Sequence, residues 1–230
     1  MEWTLWYLGT QLITSFNSHG LHKPGDTAII GKPDNYREGE LHTDITFGPK
    51  DSQHNFSFTF HQGTFYTITG PNGAGKTTLL KILSGELSPN CGEVTLADTA
   101  VHRIKSVDQL ILLGEPVFYP ELSVGEHLAL LVPPQEDRYH AILNEWDLTS
   151  LAERSTFSLS SGERQRAFLA TQLSDARPIV MLDEPERHLD SRWVKKLSSA
   201  LKDLSRRGHL CIVATHSDIL TSCSDETITL

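Results

Sequence analysis

Nine consecutive residues constrain this chain more than any other stretch. Residues 70–78 read Gly-Pro-Asn-Gly-Ala-Gly-Lys-Thr-Thr and match the pattern G-x-x-x-x-G-K-S/T. The five residues before this loop, 65–69, are aromatic and β-branched and predict a strand. The residues after it, 79–83, predict a helix that stops at Gly85. A strand, a glycine-rich loop and a helix in this order are the context in which the pattern binds phosphate.

The residue types of this loop suit a nucleotide phosphate. Glycines let successive backbone N–H groups turn toward one anion, and the helix N-terminus adds a partial positive charge. We expect Lys76 to reach the β- and γ-phosphates and the Thr77 hydroxyl to bind Mg²⁺. The alternative is a glycine-rich turn that matches the pattern by chance. The predicted phosphate-binding residues are Gly70, Pro71, Asn72, Gly73, Ala74, Gly75, Lys76, Thr77 and Thr78.

Composition narrows the class of protein. The 230 residues are enough for one large domain or for a core with a subdomain. A formal charge of −9 gives little electrostatic drive toward nucleic acid, so we expect no nucleic-acid partner. The three cysteines are odd in number and lack C-x-x-C spacing, which is typical of a reduced, cytosolic protein. No apolar run approaches the ~18 residues of a membrane span, so any membrane contact is expected to come through a partner.

Strand and helix patterns alternate along the rest of the chain. Residues 1–40 predict an N-terminal extension of short strands, and Leu41–Phe47 and 56–60 predict a strand pair. A helical pattern covers about 123–175. Alternating strands and helices imply a mainly parallel sheet, here interrupted by a helical insertion. Further predicted strands are 92–96, 109–113, 179–182, Leu210–Ala214 and 227–230, and 190–207 predicts an amphipathic helix.

A second motif pairs two carboxylates at the end of an apolar run. Residues 179–182 are apolar and are followed by Asp183 and Glu184. A buried parallel strand delivers such acids to the carboxyl edge of the sheet, where open α/β folds bind ligands. We expect Asp183 to hold Mg²⁺ and Glu184 to act as the general base on a water at the γ-phosphate. The alternative is an acidic strand end that stops at Pro185.

The third motif identifies a family. Residues 159–166 read Leu-Ser-Ser-Gly-Glu-Arg-Gln-Arg, and Ser160 and Glu163 have the spacing of a capping box that opens a helix. A capped helix N-terminus is itself an anion site, so both roles stay open. The order of the glycine-rich loop, this segment, the Asp183-Glu184 pair and His216 resembles the ATP-binding cassette (ABC) ATPases. Their signature is close to Leu-Ser-Gly-Gly-Gln.

The resemblance covers about residues 41–230 and implies a fold. That fold is an α/β P-loop NTPase with a RecA-like core and a mainly parallel sheet, an antiparallel β subdomain, and a helical subdomain at about 115–177. The resemblance also implies that the signature contacts the ATP held by a second cassette. In this chain the signature residues are Ser160, Ser161, Gly162 and Glu163. Ser161 replaces a glycine and Glu163 a glutamine, and Ser161 adds a side chain where backbone approaches phosphate closely.

Three further residues receive roles from the resemblance. His216 corresponds to the switch histidine that contacts the γ-phosphate and the base, although a lone histidine at a strand end is usually structural. Asp190 corresponds to the D-loop aspartate that crosses to the partner, and it also suits the N-cap of the following helix. Gly114 or Glu115 occupies the place of the Q-loop glutamine, and Glu115 in that place would be a Mg²⁺ ligand.

The resemblance also implies an aromatic residue upstream of the loop that stacks on adenine. Phe47 is the first choice, with Tyr36 behind it, and the alternative for Phe47 is core packing. These assignments imply that the cofactors are ATP and Mg²⁺.

The resemblance finally implies a working unit. Two cassettes, either two copies or two homologues, would pair head to tail and sandwich two ATP molecules. The chain would then be the Mg-dependent ATPase subunit of a membrane transporter. It would lie on the cytoplasmic face of the membrane through its permease. The alternatives are a soluble cassette ATPase in cofactor assembly, translation or repair, and a regulatory cassette that hydrolyses ATP weakly.

Overall fold

The computed structural model describes residues 39–49, 51, 53–103, 110–134, 136–174 and 176–230. The predicted strands of the N-terminal extension and the candidate Tyr36 lie outside the described residues. The strands are β1 (Leu41–Phe47), β2 (His54–Phe60), β3 (Phe65–Thr69), β4 (Cys91–Leu96), β5 (Thr99–Ala100), β6 (Leu110–Leu113), β7 (Ile179–Asp183), β8 (Leu210–Ala214) and β9 (Glu226–Thr229). The helices are α1 (Lys76–Leu83), α2 (Val124–Ala129), α3 (Asp137–Glu145), α4 (Ser161–Ser174), α5 (Ser191–Arg206) and α6 (Asp218–Cys223).

Two sheets form, one antiparallel and one parallel. The antiparallel sheet has the order β2-β1-β4-β5, and β1 pairs with both β2 and β4. The parallel sheet has the order β6-β7-β8-β3-β9. The strand before the glycine-rich loop therefore lies next to β8, and β8 separates it from β7.

The strands β3, β7 and β8 of the parallel sheet are buried on both faces because they are largely apolar runs. Successive side chains of a strand point to opposite faces. Val180 and Leu182 accordingly pack into one hydrophobic cluster with residues of α2, α3, α4 and α5. Ile179 and Met181 pack into another with α1 and the antiparallel sheet. Burial on both faces fixes where these strands end, and the strand ends position the site residues.

Within the described residues, the observed elements confirm the predicted ones, with shifted ends. β2 begins two residues before the predicted strand, and the last strand begins one residue before 227. The helix after the glycine-rich loop begins at Lys76 instead of residue 79. The helical stretch is divided into α2, α3 and α4 with short 3₁₀ turns between α3 and α4. The helix that the capping box of Ser160 and Glu163 predicts begins at Ser161, so three signature residues form its first turn.

Candidate active site

The carboxyl ends of the parallel strands bring the sequence motifs together. β3 ends just before the glycine-rich loop, β7 ends at Asp183, and β8 is followed by Thr215 and His216. β6 ends just before Gly114 and Glu115. Residues from four separate segments therefore meet at the edge where open α/β sheets bind ligands.

The lysine of the glycine-rich loop is folded into the loop itself. Lys76 is buried at the start of α1, and its Nζ donates hydrogen bonds to the carbonyl oxygens of Gly70 at 2.8 Å and of Pro71 at 3.2 Å. Gly75, the N-cap of α1, has φ 96°, a left-handed backbone that glycine adopts without steric cost. The loop thus surrounds an ammonium group, which can exchange carbonyl oxygens for phosphate oxygens.

Phe47 lies against this loop, but its ring is covered. A carbon added to Gly75 as a Cβ would come within 2.9 Å of the Phe47 ring, so loop and ring are in direct contact. Only 1% of Phe47 is exposed, and the neighbouring ring is that of His54, 5.5 Å away between centroids. The geometry matches the core-packing alternative, and stacking of adenine on Phe47 stays a prediction that needs the ring to be uncovered.

Thr77 and Asp183 form the link between the loop and β7. The Thr77 hydroxyl donates to Oδ2 of Asp183 at 2.7 Å. The other carboxylate oxygen, Oδ1, is buried and has no hydrogen-bond partner among the described residues. A hydroxyl and a carboxylate with an unused oxygen are the ligand types that Mg²⁺ prefers. The described residues contain no cluster of three or more His, Cys, Asp or Glu that could hold a metal, so substrate oxygens would have to complete the coordination.

Glu184 has a strained backbone and two side-chain partners. Its φ is 48°, in the left-handed region that a residue with a side chain rarely adopts, and its N–H donates to the Ala214 carbonyl at 2.8 Å. Oε1 lies 3.5 Å from Nε2 of His216, and Oε2 accepts from Nε of Arg187 at 2.7 Å. The side chain is 21% exposed, so the carboxylate faces the cleft while the main chain is anchored to β8.

Glu186 holds the segment that carries His216. Its Oε1 accepts from the Thr215 hydroxyl at 2.5 Å and from the His216 N–H at 2.9 Å. The Thr215 hydroxyl also accepts from the N–H of Ser217 at 2.9 Å. Sequence reasoning missed Glu186, although its place two residues after Glu184 is a usable signal.

Arg187 was also missed, and it joins two acids. Besides Glu184, it contacts Oε1 of Glu115, which lies 3.2 Å from Nη1. The hydrogen bond to Glu184 raises the pKa of the Arg187 guanidinium, and the nearby Glu115 charge adds to the effect. The residues lining the small cleft of about 80 Å³ beside this contact include Glu115, Asp183, Glu184 and Arg187. Assignment of Glu115 as a metal ligand stays a prediction.

The signature segment forms the predicted capping box. The N–H of Ser160 donates to Oε2 of Glu163 at 2.8 Å, and the Glu163 N–H donates to the Ser160 hydroxyl at 3.3 Å. Two hydrogen bonds hold the pKa of the Glu163 carboxyl below its usual range: the larger effect comes from the Ser160 N–H and the smaller from the Ser160 hydroxyl. Ser160 and Ser161 are exposed, so both are available to a partner molecule.

Two contacts tie α4 to the residues after β7. A Cβ on Gly162 would lie 2.8 Å from the His188 carbonyl oxygen, closer than real Cβ atoms come. Gln165 is buried, and its amide donates to the Pro185 carbonyl at 2.8 Å. The signature helix and the segment carrying the base therefore pack as one unit.

Asp190 acts as the N-cap of α5. Its Oδ1 accepts from the Trp193 N–H at 3.0 Å, which confirms the capping role. Its predicted contact with a partner subunit stays a prediction.

Among the described helices, none combines the length and apolar character needed to cross a membrane.

Comparisons with known proteins agree with this geometry. The family model described as "ABC transporter" matches residues 53–187. The cytochrome c biogenesis ATP-binding export protein CcmA of Tatumella citrea is 38% identical over 168 residues, which cover 71% of this chain and 80% of that protein. The spermidine/putrescine import ATP-binding protein PotA of Legionella pneumophila (strain Lens) is 33% identical over 181 residues. That match covers 74% of this chain but spans only half the length of PotA.

Solved structures share the fold. The "ATP binding subunit of ABC transporter" superposes with a TM-score of 0.70 at 23% identity, covering 84% of this chain and 85% of the other. The dimeric post-hydrolysis state of the ATP-binding cassette MJ0796 bound to ADP and Pi has a TM-score of 0.68 at 23% identity, with 83% and 94% covered. These likenesses confirm the predicted P-loop NTPase fold. The chain therefore belongs to the ABC transporter family, among its ATP-binding cassettes of the ATPase type.

Proposed function

We propose that this chain binds and hydrolyses Mg²⁺-ATP as one half of a head-to-tail cassette dimer and thereby powers a membrane transporter. The observation that carries the proposal is the meeting of four groups at one sheet edge. Lys76 and Thr77 come from the glycine-rich loop, Asp183 and Glu184 from the end of β7. These groups would supply phosphate binding, metal binding and a base at one edge of the sheet.

Binding of the triphosphate falls to the loop. The Lys76 ammonium, now bonded to the Gly70 and Pro71 carbonyls, would exchange them for β- and γ-phosphate oxygens. Thr77 and Asp183 would hold Mg²⁺, because their oxygens are adjacent and Oδ1 of Asp183 has no other described partner. When bound, Mg²⁺ neutralises charge on the phosphate oxygens.

Hydrolysis falls to Glu184. Its carboxylate would accept the proton of the attacking water. His216, whose Nε2 lies 3.5 Å from Oε1 of Glu184, would orient this carboxylate. The left-handed backbone of Glu184 supports this role, because strained residues persist where a function requires their geometry.

The second cassette would complete the site from the exposed signature. Ser160 and Ser161 lie at the N-terminus of α4 and are exposed, so they suit an anion presented by a partner. A symmetric pair that uses the glycine-rich loop of one copy and the signature of the other buries two ATP molecules.

Coupling to a permease is the part of the proposal that rests on relatives. CcmA is named an export protein and PotA an import protein, and both names describe ATP-binding proteins of transport. We infer the transporter class from these names, with the chain on the cytoplasmic face of a membrane through its permease, and we assign no cargo.

ATP turnover by the purified full-length chain tests the enzymatic part. The Glu184→Gln variant should keep ATP affinity and lose about 10²–10⁴-fold in kcat. The Lys76→Ala variant should lose ATP binding, whereas Lys81→Ala, on the exposed side of α1, should behave as wild type. Normal turnover by Glu184→Gln would remove Glu184 as the base.

Dimerisation and permease coupling need separate measurements. With Mg²⁺-ATP, the Glu184→Gln chain should elute as a dimer in size-exclusion chromatography and return to a monomer when nucleotide is removed. A tagged full-length chain should co-purify with an integral membrane protein from detergent-solubilised membranes of its own host. Recovery of the chain only in soluble complexes would contradict the transporter part of the proposal.

A further inference from the structure

Arg187 contacts both the candidate base, Glu184, and Glu115 in the segment that corresponds to the Q-loop. Resting on the function proposed above, we propose that Arg187 is a positioning residue that restrains the Glu184 carboxylate before the site is assembled. Glu115 is the second acceptor, which already contacts Arg187 and keeps it when Glu184 is released. The pair of contacts is a latch that regulates hydrolysis at the same site.

The contacts of Arg187 differ in strength. Nε lies 2.7 Å from Oε2 of Glu184, and Nη1 lies 3.2 Å from Oε1 of Glu115. A guanidinium carries its donors in a rigid planar fork, so one side chain can bond two carboxylates at once. The shorter contact is the one to Glu184, so in this structure the balance favours the restrained base.

The contact with Glu184 competes with the work of a base. Oε2 is occupied by Arg187, and Oε1 faces Nε2 of His216 at 3.5 Å. A charge-assisted hydrogen bond fixes the orientation of the carboxylate that accepts it. A water that is to lose a proton must approach one of these oxygens, so Glu184 has to turn away from Arg187 or share its oxygen.

Chain geometry keeps Arg187 in reach of both acids. The Arg187 N–H donates to the Glu184 carbonyl at 3.2 Å, so a tight turn holds the arginine beside the base. Glu115 comes from the loop after β6, 72 residues away in sequence. Its side chain is 84% exposed and that of Arg187 is 57% exposed, so neither is held by packing and both can move.

Exposure also sets the size of the effect. An exposed ion pair biases an equilibrium only a few-fold, because water screens it. Such a latch slows hydrolysis without abolishing it, and it opens at little cost when nucleotide and partner order the cleft.

Turnover of three variants of the purified full-length chain, with saturating Mg²⁺-ATP, tests the latch. Arg187→Gln should raise kcat about threefold, because an exposed pair is worth roughly that factor. Glu115→Gln should lower kcat by about the same factor, since Arg187 then has only Glu184 as a charged acceptor. The double variant should match Arg187→Gln alone. Arg206→Gln, which removes an exposed i, i+3 ion pair with Asp203 on α5, is the matched control and should leave kcat unchanged.

Two readouts separate positioning from a structural role. ATP affinity and the melting temperature should stay the same in all four variants, so the change is confined to kcat. Arg187→Lys should give an intermediate kcat, because a lysine keeps the charge but contacts one carboxylate at a time.

A Mg²⁺ titration separates the latch from metal binding by Glu115. If Glu115 were a metal ligand, Glu115→Gln would raise the Mg²⁺ concentration for half-maximal turnover, with or without Arg187, and the inference would be overturned. An unchanged or lower kcat in Arg187→Gln would overturn it as well. If turnover depends on Glu184 but is unchanged when Arg187 is replaced, only the latch is ruled out. Absence of turnover in every chain removes the proposed function together with it.

Discussion

The Thr77 hydroxyl donates a hydrogen bond to Oδ2 of Asp183 at 2.7 Å, across 106 residues of sequence. This bond joins the first turn of α1 to the end of β7, so the glycine-rich loop and the acidic strand end lie side by side. It also leaves Oδ1 of Asp183 buried without a described partner. A buried carboxylate oxygen without a hydrogen bond is costly, which is the state that a bound cation relieves.

Replacing Asp183 should therefore affect the metal first. We expect Asp183→Asn to raise the Mg²⁺ concentration needed for half-maximal ATPase activity. The loss of an outer-shell partner of a metal costs roughly 10–100-fold in affinity, and we expect a larger rise here. Activity measured against Mg²⁺ at fixed ATP checks this. Asp203→Asn, at an exposed site on α5, should leave the titration unchanged. An unshifted Asp183→Asn curve would mean that the metal is bound elsewhere.

Two capping boxes of the same form allow a matched comparison. Ser123 and Glu126 open α2 with hydrogen bonds of 2.8 and 3.2 Å, much as Ser160 and Glu163 open α4. Ser123→Ala and Ser160→Ala should each lower the free energy of unfolding by about 1 kcal/mol. Only Ser160→Ala should also weaken ATP-driven dimerisation, measured by size-exclusion chromatography. Equal dimerisation in both variants would reduce Ser160 to a helix cap.

Glu186 should control His216 without touching substrate. Glu186→Ala removes the acceptor of the Thr215 hydroxyl and of the His216 N–H, so the histidine segment loses its anchor. We expect kcat to fall about tenfold with unchanged ATP affinity, as for a base whose orienting group is misplaced. Glu186→Gln keeps one acceptor oxygen and should retain most activity. If both variants are equally active, Glu186 does not position His216.

His127 should make stability depend on pH. Burial lowers the pKa of its imidazole, with smaller opposing effects from the Ser123 carbonyl and Glu126. Both ring nitrogens are engaged: Tyr119 N–H points at Nε2 at 2.8 Å, and Nδ1 lies 2.8 Å from the Ser123 carbonyl oxygen. A proton on Nε2 would oppose the Tyr119 N–H, so the folded state prefers the neutral ring.

The sign of the effect follows from linkage. The unfolded chain takes up the proton near pH 6.5, above the folded pKa, so stability is full above about pH 6.5 and falls as the pH drops below it. Thermal unfolding between pH 7.5 and 5.5 should show a smaller loss in His127→Gln than in wild type. Parallel curves for the two chains would contradict the assignment.

Local sequence predicted the elements that carry the site because their signals are local. The apolar runs ending at Asp183 and Ala214 are buried on both faces, so their composition alone indicates parallel strands. The glycine-rich loop needs only its own residues to form. Since parallel strands end at one edge, the meeting of the loop with Asp183 followed from these local assignments.

Contacts between distant side chains did not follow from the sequence. Arg187 and Glu115 are 72 residues apart, and no periodicity links them. Glu186 reaches Thr215 across 29 residues. Phe47 was expected to offer a ring to adenine, but its exposure depends on how closely the loop packs on β1, which no single segment encodes. Such pairings emerge only when the strand order is known.

The close approach of Gly162 to the His188 carbonyl bears on how related chains are classified. A side chain at Gly162 would collide with the backbone of its own subunit, at 2.8 Å, whether or not ATP is ever bound. A descendant of this protein that had lost hydrolysis would therefore retain the glycine for as long as it had to fold. Glycine at this position records folding, and Glu184, which no local packing demands, is the better marker of a working enzyme.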